Sequence, residues 1–346
     1  RPIAVEDLLG RPQMPLDRDA MRDLIAGRRV LVTGAGGSIG SELVRQVCSF
    51  GPTSVMLLDN SEYALYRIDM EVSVGHPDLP RTPVIADVRD RARIQRIFSD
   101  FEPELVFHAA ALKHVPLVEA NPFEGMMTNV VGTTNVAETC RETGVEVMVL
   151  ISSDKAVNPT NVMGATKRIA EQVCQAMDRE RHNGDGTRFV TVRFGNVLGS
   201  TGSVVPLFQR QLERGGPLTV THPEMTRYFM TIREAVELVL EASALGGGRP
   251  DYAGKIFVLE MGEPVKILDL ARQMIRLAGL TPDTDIPIKI VGLRPGEKLH
   301  EELFHRGEEL VATEYDGILV GMPRAAEREA ISRSIIRLAD AYAQGN

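Results

Sequence analysis

Five consecutive apolar residues, Val147 to Ile151 (V-M-V-L-I), run without a break into S-S-D-K-A-V-N-P-T-N-V-M-G-A-T-K, Ser152 to Lys167. A short β-branched run of this kind reads as a strand buried on both faces, which only a covered, mostly parallel sheet provides. Where such a strand ends in polar residues, an open α/β sheet places its chemistry. Ser152, Ser153, Asp154 and Lys155 thus fall at the lip of a cleft: hydroxyls, an acid and a base in succession. Pro159 interrupts the chain, and Met163 and Lys167, four apart, share one face of the helix that follows.

The same pattern recurs upstream. Residues 28–33 (R-R-V-L-V-T) read as a strand leading straight into G-A-G-G-S-I-G and a helix from about Ser38. Gly34, Gly37 and Gly40 stand at the informative positions of a T-G-x-x-G-x-x-G turn, with Ser38 and Ile39 between them. Such a turn lets backbone approach a pyrophosphate at a helix N-terminus. The next apolar run ends in Asp59, 25 positions beyond Gly34, where a carboxylate accepts from a ribose 2′-hydroxyl and repels a 2′-phosphate; NAD is favoured over NADP. A third strand ends at Asp87 and Val88, placed to flank an adenine. A fourth runs from Leu105 to His108 into Ala109, Ala110 and Ala111, small enough for a cofactor to lie against them. Strands alternating with helices at this spacing predict an α/β fold with a doubly wound parallel (Rossmann) sheet.

Beyond Phe189–Arg193, another strand, the alternation stops near residue 196. Short strands, a helix from Ile232 to Leu245, a strand Lys255–Leu259 able to return to the sheet, a helix from Ile267 to Ala278 and the loop G-L-R-P-G-E-K follow. The expected organisation is an N-terminal arm (1–27), a dinucleotide-binding domain (28–195) and, over 196–346, mainly a smaller, discontinuous α/β substrate-binding domain capping the strand ends. A chain of 346 residues suffices for both.

Net charge of −8 argues against non-specific nucleic-acid binding. The three cysteines, Cys48, Cys140 and Cys174, show no C-x-x-C spacing and read as small core residues in a reducing compartment. The seven histidines form no metal constellation, and no apolar run reaches the length of a membrane span.

T-G-A-G-G-S-I-G, A-A-L-K-H-V-P-L-V-E, the Ser152–Lys167 stretch, R-F-G-N-V-L-G-S and R-P-G-E-K together resemble the extended short-chain dehydrogenase/reductase family, from about residue 5 to 325. More narrowly, they resemble its bacterial UDP-N-acetylglucosamine 4,6-dehydratases of polysaccharide biosynthesis. Most of the wider family carries Tyr-x-x-x-Lys on the helix after the catalytic strand; here Met163 precedes Lys167, and methionine neither takes nor gives a proton. This substitution resembles a subgroup with an N-terminal membrane region. With Arg1 as the first residue, the chain is read as that subgroup's catalytic part, on the cytoplasmic side of the inner membrane, its membrane contact lying in a region absent from it. Homo-oligomers, through the helices near 123–143 and 160–181, are a further implication.

The implied reaction oxidises the sugar at C4 with tightly held NAD, eliminates water across C5–C6 and reduces C6, regenerating the cofactor. Resemblance assigns Lys155 as the C5 base, which requires it neutral through burial or the nearby Lys167, and Asp154 as the acid at the C6 hydroxyl. Ser153 binds and relays the C4 hydroxyl proton, and Lys167 holds the nicotinamide ribose. Lys113, Asn196, Ser203, Val204, Arg227, Arg294 and Glu297 are candidates for the UDP-sugar; Asn129 is expected near the active site and His222 is read as structural. Retention of configuration at C5 is expected from Met163. A C5-inverting dehydratase or UDP-sugar 4-epimerase is the alternative enzyme, and a non-catalytic NAD- and nucleotide-binding module the alternative of another class. What accepts the C4 hydroxyl proton in the absence of tyrosine is left open.

Overall fold

A computed structural model describes residues 16–181, 186–305, 308–322 and 328–344. Nine strands form the main sheet: β1 (Arg29–Thr33), β2 (Ser54–Asp59), β3 (Arg81–Ile85), β4 (Leu105–His108), β5 (Val147–Ile151), β6 (Arg188–Arg193), β7 (Ile256–Leu259), β8 (Leu310–Ala312) and β9 (Ile318–Gly321). Their order is 8-9-7-6-5-4-1-2-3. All neighbours from β3 to β7 are parallel, and β9 pairs antiparallel with both β7 and β8. β5 is buried at all five positions and β6 at all six, as expected of central strands covered on both faces. The order reverses at β1, so the carboxyl ends of β1 and β4 part to leave a crevice.

The helices are α1 (Arg18–Ile25), α2 (Ser38–Ser49), α3 (Glu62–Gly75), α4 (Arg91–Phe101), α5 (Val115–Ala120), α6 (Pro122–Met126), α7 (Thr133–Thr143), α8 (Val162–Arg179), α9 (Val204–Glu213), α10 (Ile232–Gly248), α11 (Ile267–Leu277) and α12 (Arg328–Ala343). One π-helical segment, Met127–Gly132, joins α6 to α7. Of the expected arm, residues 1–15 lie outside the described residues. Its remainder forms α1, whose start is capped by the Asp17 carboxylate accepting from the Ala20 amide at 2.9 Å. Met21, Leu24 and Ile25 are buried, and α1 packs on α10.

Each face of the sheet has its own core. One joins Val30, Val32, Phe107 and Val149 to α2 and α10; the other joins Leu31, Val106, Met148 and Leu150 to α4, α7 and α8. A separate cluster, including Leu198, Phe208, Leu218, Phe229, Leu270 and Met274, belongs to the smaller unit. There Leu218–Val220 pairs with Ile288–Ile290, Asn196–Leu198 with Phe229–Thr231, and Thr226–Arg227 with Val265–Lys266. The chain after 196 is more divided than the expected boundary. β7, β8 and β9 all return to the main sheet, and α12 inserts Ile331 into the core beneath α8. The hydrogen-bonding edge of β6 and the apolar face of α8 are closed by these late segments.

The candidate active site

The crevice between β1 and β4 is a cavity of about 880 Å³. Its floor is the Gly-rich turn. Gly34 has φ +64°, and a Cβ there would lie 2.7 Å from the Ala110 nitrogen; a Cβ on Gly40 would lie 1.9 Å from the Gly34 oxygen. Gly36, absent from the expected set, is equally constrained: a Cβ would stand 2.5 Å from that of Ala64, and its amide donates to Asp59 Oδ2 at 2.9 Å. Gly37 is less constrained, in ordinary extended backbone with 3.3 Å to the Gly34 oxygen. As the N-cap of α2 it provides no side chain to satisfy the helix's first amides. Uncapped amides at a positive helix end suit a phosphate.

Asp59 ends β2, buried, its other oxygen accepting from the Ser61 amide at 2.8 Å. Both oxygens keep further lone pairs for a ribose diol. Arg45, which also lines the cavity, is engaged by Glu42 and Glu71 rather than offered to a 2′-phosphate. The donor set and the glycine cradle thus fit NAD. Of the residues expected to hold the cofactor, Ser38, Val88, Ala109 and Ala110 also line the cavity. Four expected cofactor residues do not: Asp87, Ile39, Gly40 and Lys167. The Asp87 carboxylate is drawn to Arg89 (2.6 Å), which also meets Glu124 (2.7 Å). Ile39 packs against the core, and Gly40 acts through the turn.

At the end of β5, Ser153, Asp154 and Lys155 form one hydrogen-bonded chain. Ser153 Oγ donates to Asp154 Oδ1 at 3.0 Å, and Lys155 Nζ donates to the same oxygen at 3.1 Å. Nζ also donates to Asn196 Oδ1 at 3.0 Å. Asp154 is fully buried, and its Oδ2 has no hydrogen-bond partner among the described residues. Lys113, exposed at the cavity's edge, has its pKa lowered by desolvation and then by the charge of Lys155.

The stripe Met163–Lys167–Glu171 on α8 faces three different surroundings. Met163 packs in a small cluster with Val115 and Val118 of α5. These are packing contacts, as suits its apolar side chain. Lys167 donates to the Ile151 carbonyl at 2.6 Å; burial pushes its pKa down to about 8. It does not line the cavity, and Lys155 Nζ is hydrogen-bonded to Asp154 and Asn196 rather than set against Lys167. Glu171 meets Ser152 Oγ (2.7 Å) and Arg193 (2.9 Å), both ionic partners being fully buried. Desolvation opposes ionisation of Glu171, but the Arg193 charge and hydrogen bonds prevail and lower its pKa.

A loop and a strap close the site. Asn129, in the π-helical segment, accepts from the Leu112 amide (2.8 Å) and donates to its carbonyl (2.9 Å) and to Thr166 Oγ1 (3.0 Å), clamping the Ala109–His114 loop to α8. Thr201 N donates to Ser38 Oγ at 3.1 Å, carrying residues 199–203 across the cavity. Ser203, the N-cap of α9, has a buried hydroxyl without a partner among the described residues, and Val204 packs on the smaller core. Arg294 is exposed, with its backbone amide donating to Glu297 Oε2 at 3.0 Å. Arg227, expected at the UDP-sugar, instead donates to the carbonyls of Thr226, Lys298 and Leu299. Buried beside carbonyls, its guanidinium anchors the segment after R-P-G-E-K. His222 Nδ1 accepts from the Glu224 amide at 3.0 Å, a local turn contact.

That segment brings in residues the sequence did not point to. Lys298 Nζ donates to the Val157 carbonyl (2.7 Å), Asn161 Nδ2 to the Gly296 carbonyl (2.9 Å), and Asn158 Nδ2 to Glu302 (2.8 Å). Glu301 is thereby buried with Oε1 3.8 Å from Lys155 Nζ. Its only local signal is position in a polar loop, which does not distinguish it from Glu302.

Strand order, uncapped helix and acidic β2 end define a Rossmann-fold protein of the extended short-chain dehydrogenase/reductase class. The chain belongs to the polysaccharide biosynthesis protein family, whose model matches residues 30–323. It is similar to capsular polysaccharide biosynthesis protein CapD of Staphylococcus aureus, at 54% identity over 307 residues covering 88% of this chain and 50% of CapD. It therefore spans about half the length of that relative. It is also similar to a Campylobacter jejuni protein named UDP-N-acetylglucosamine 4,6-dehydratase (inverting), at 34% identity, covering 84% of this chain and 81% of the relative. Among solved structures, the DesIV double mutant, a dTDP-glucose 4,6-dehydratase of Streptomyces venezuelae with NAD bound, matches at 25% identity and TM-score 0.68, over 80% of this chain and 88% of that one. Among the described residues no helix is long and apolar enough to cross a membrane.

Proposed function

We propose that this chain catalyses NAD-dependent 4,6-dehydration of UDP-N-acetylglucosamine, with configuration at C5 retained, for bacterial polysaccharide synthesis. The observation that carries the reading is the Ser153–Asp154–Lys155 hydrogen-bonded chain at the end of β5, the strand paired with β4, whose following loop lines a cavity that fits a dinucleotide. The names of the Campylobacter relative and of DesIV support the reaction type and cofactor. Gly34, Gly36, the α2 N-terminus and Asp59 would hold the cofactor's diphosphate and ribose. When bound, NAD supplies a reversible two-electron acceptor for the sugar C4.

The protein's own groups handle the protons. Ser153 Oγ takes the C4 hydroxyl proton and passes its own to Asp154 Oδ1, so no tyrosine is needed. Asp154 then delivers that proton to the C6 oxygen as water leaves. Neutral Lys155 takes the C5 proton and later returns it from the same side, which retains configuration. Membrane attachment through a region beyond this chain, cytoplasmic placement and homo-oligomerisation belong to the same reading, carried by the resemblance.

The second reading, inversion at C5, is favoured by the name of the Campylobacter relative. Incubation with UDP-N-acetylglucosamine in D2O, followed by NMR and mass spectrometry, separates the two. A C6 methyl, loss of one water and deuterium at C5 with gluco-type stereochemistry are expected. Inverted stereochemistry establishes the second reading, and substrate unchanged after NAD is added leaves a binding module.

A further inference from the structure

Glu301 is a buried carboxylate that the mechanism above does not use. Its Oε1 lies 3.8 Å from Lys155 Nζ, while its Oε2, 3.9 Å from Lys298 Nζ, has no hydrogen-bond partner among the described residues. A carboxylate so buried and half-satisfied is costly unless something uses it. Three contacts hold it in place: Arg227 on the Lys298 and Leu299 carbonyls, and Lys298 on Val157. Asp154 is committed to moving the C4 proton toward C6. Lys155 therefore needs a different acceptor for the proton it must lose to become a base.

We propose that Glu301 is that acceptor, a positioning residue that holds the Lys155 proton during dehydration; the inference rests on the function proposed above. Closure by about 1 Å brings Oε1 into hydrogen-bond reach of Nζ. One N–H proton of Lys155 then passes to Glu301, leaving an amine and a carboxylic acid. The amine forms an N–H bond as the C5–H bond breaks, and those electrons form the C5–C6 double bond as the C6–O bond breaks. The oxygen leaves as water with the Asp154 proton. After C6 is reduced, Lys155 returns its proton to C5, and the amine and acid are restored for the next cycle.

The test compares wild type, Glu301→Gln and Glu301→Asp with UDP-N-acetylglucosamine and its C5-deuterated form. For Glu301→Gln, kcat is expected to fall about 100-fold with KM nearly unchanged, and the isotope effect of C5 deuteration to rise, because C5 deprotonation alone has slowed. Glu301→Asp is expected to recover part of kcat. It also carries the test if the Gln variant fails to fold, an isotope effect above wild type being the supporting result. A loss of kcat with an unchanged isotope effect means a structural role and overturns the inference, as does wild-type behaviour of both variants. A wild type that turns over while the variants behave in either of those ways removes this inference alone; a wild type that leaves the substrate unchanged removes the proposed function and this inference with it.

Discussion

Gly40 and Gly37 occupy equivalent places in the turn motif yet meet different constraints. A methyl on Gly40 runs into the Gly34 carbonyl at 1.9 Å, a backbone atom that moves only if the turn opens; on Gly37 it stands at 3.3 Å. Gly40→Ala is therefore expected to weaken NAD binding by at least about tenfold, and Gly37→Ala by much less, as measured by calorimetric titration. Met163 offers a second contrast. Buried between Val115 and Val118, it accepts a leucine of similar volume, so Met163→Leu should cost under about 1.5 kcal/mol and leave kcat near wild type. A substantial loss of kcat in a normally folded Met163→Leu protein would restore the residue to the reaction. The motif spacing displayed both residues but did not assign their tasks, because spacing reports where a side chain leaves the backbone and not what it meets. Arg227 shows the same limit. A cation in a loop suggests an anionic ligand, whereas here its guanidinium meets three carbonyls.

Helix α8 ties the catalytic strand to the rest of the sheet. Its stripe carries Met163 against α5, Lys167 against the β5 end, and Glu171 between Ser152 of the β5 tip and Arg193 of β6. The Ser153–Lys155 turn hangs from this lattice, and the Asp154 amide donates to Phe194, the residue after Arg193, at 2.9 Å. Arg193→Met would leave Glu171 buried with Arg168 and Ser152 but without its main counter-charge. Removing one partner of a fully buried pair costs about 3–5 kcal/mol, a fall in melting temperature of about 4–7 °C for a chain of this size. Adding Glu171→Leu is expected to recover part of the loss, since the stranded charge is then gone. Differential scanning calorimetry on the single and double variants checks both outcomes. The strands and helices of this region were readable from apolar periodicity. The Glu171–Arg193 pair was not, because its partners come from separate elements whose facing side chains only the fold brings together.

Across the whole molecule, the parallel sheet was legible because its central strands are mostly apolar and end in polar or small residues. The return of β8, β9 and α12 to that sheet was not, because strands of three and four residues carry little periodicity and the sheet they join lies far back in the chain. The sheet's crossover also buries a titratable group. His108, at the end of β4, is bonded through Nδ1 to Thr33 Oγ1 (2.7 Å) and through Nε2 to Thr133 Oγ1 (2.9 Å). Burial, and then the charge of Lys167, push its pKa down to about 3 from an ordinary 6.5. Between those values the unfolded chain binds a proton that the folded one refuses, so stability falls with acidification, by up to about 1.4 kcal/mol per pH unit. Above pH 6.5 the effect is absent, and below about 3 it no longer grows. Carboxylates such as Glu171, whose pKa is held low by Arg193, destabilise the fold only below about pH 4.5, where unfolded glutamates begin to protonate. From pH 6.5 to 5 the other histidines held below their ordinary pKa by burial, His114 and His305, act in the same direction, so His108 is isolated by the difference between the wild type and a variant lacking it. Urea midpoints measured across this interval should decline more steeply for the wild type than for His108→Gln, whose amide can still reach both threonines. Equal declines would mean that water reaches His108 in the folded protein and lets it take up a proton there.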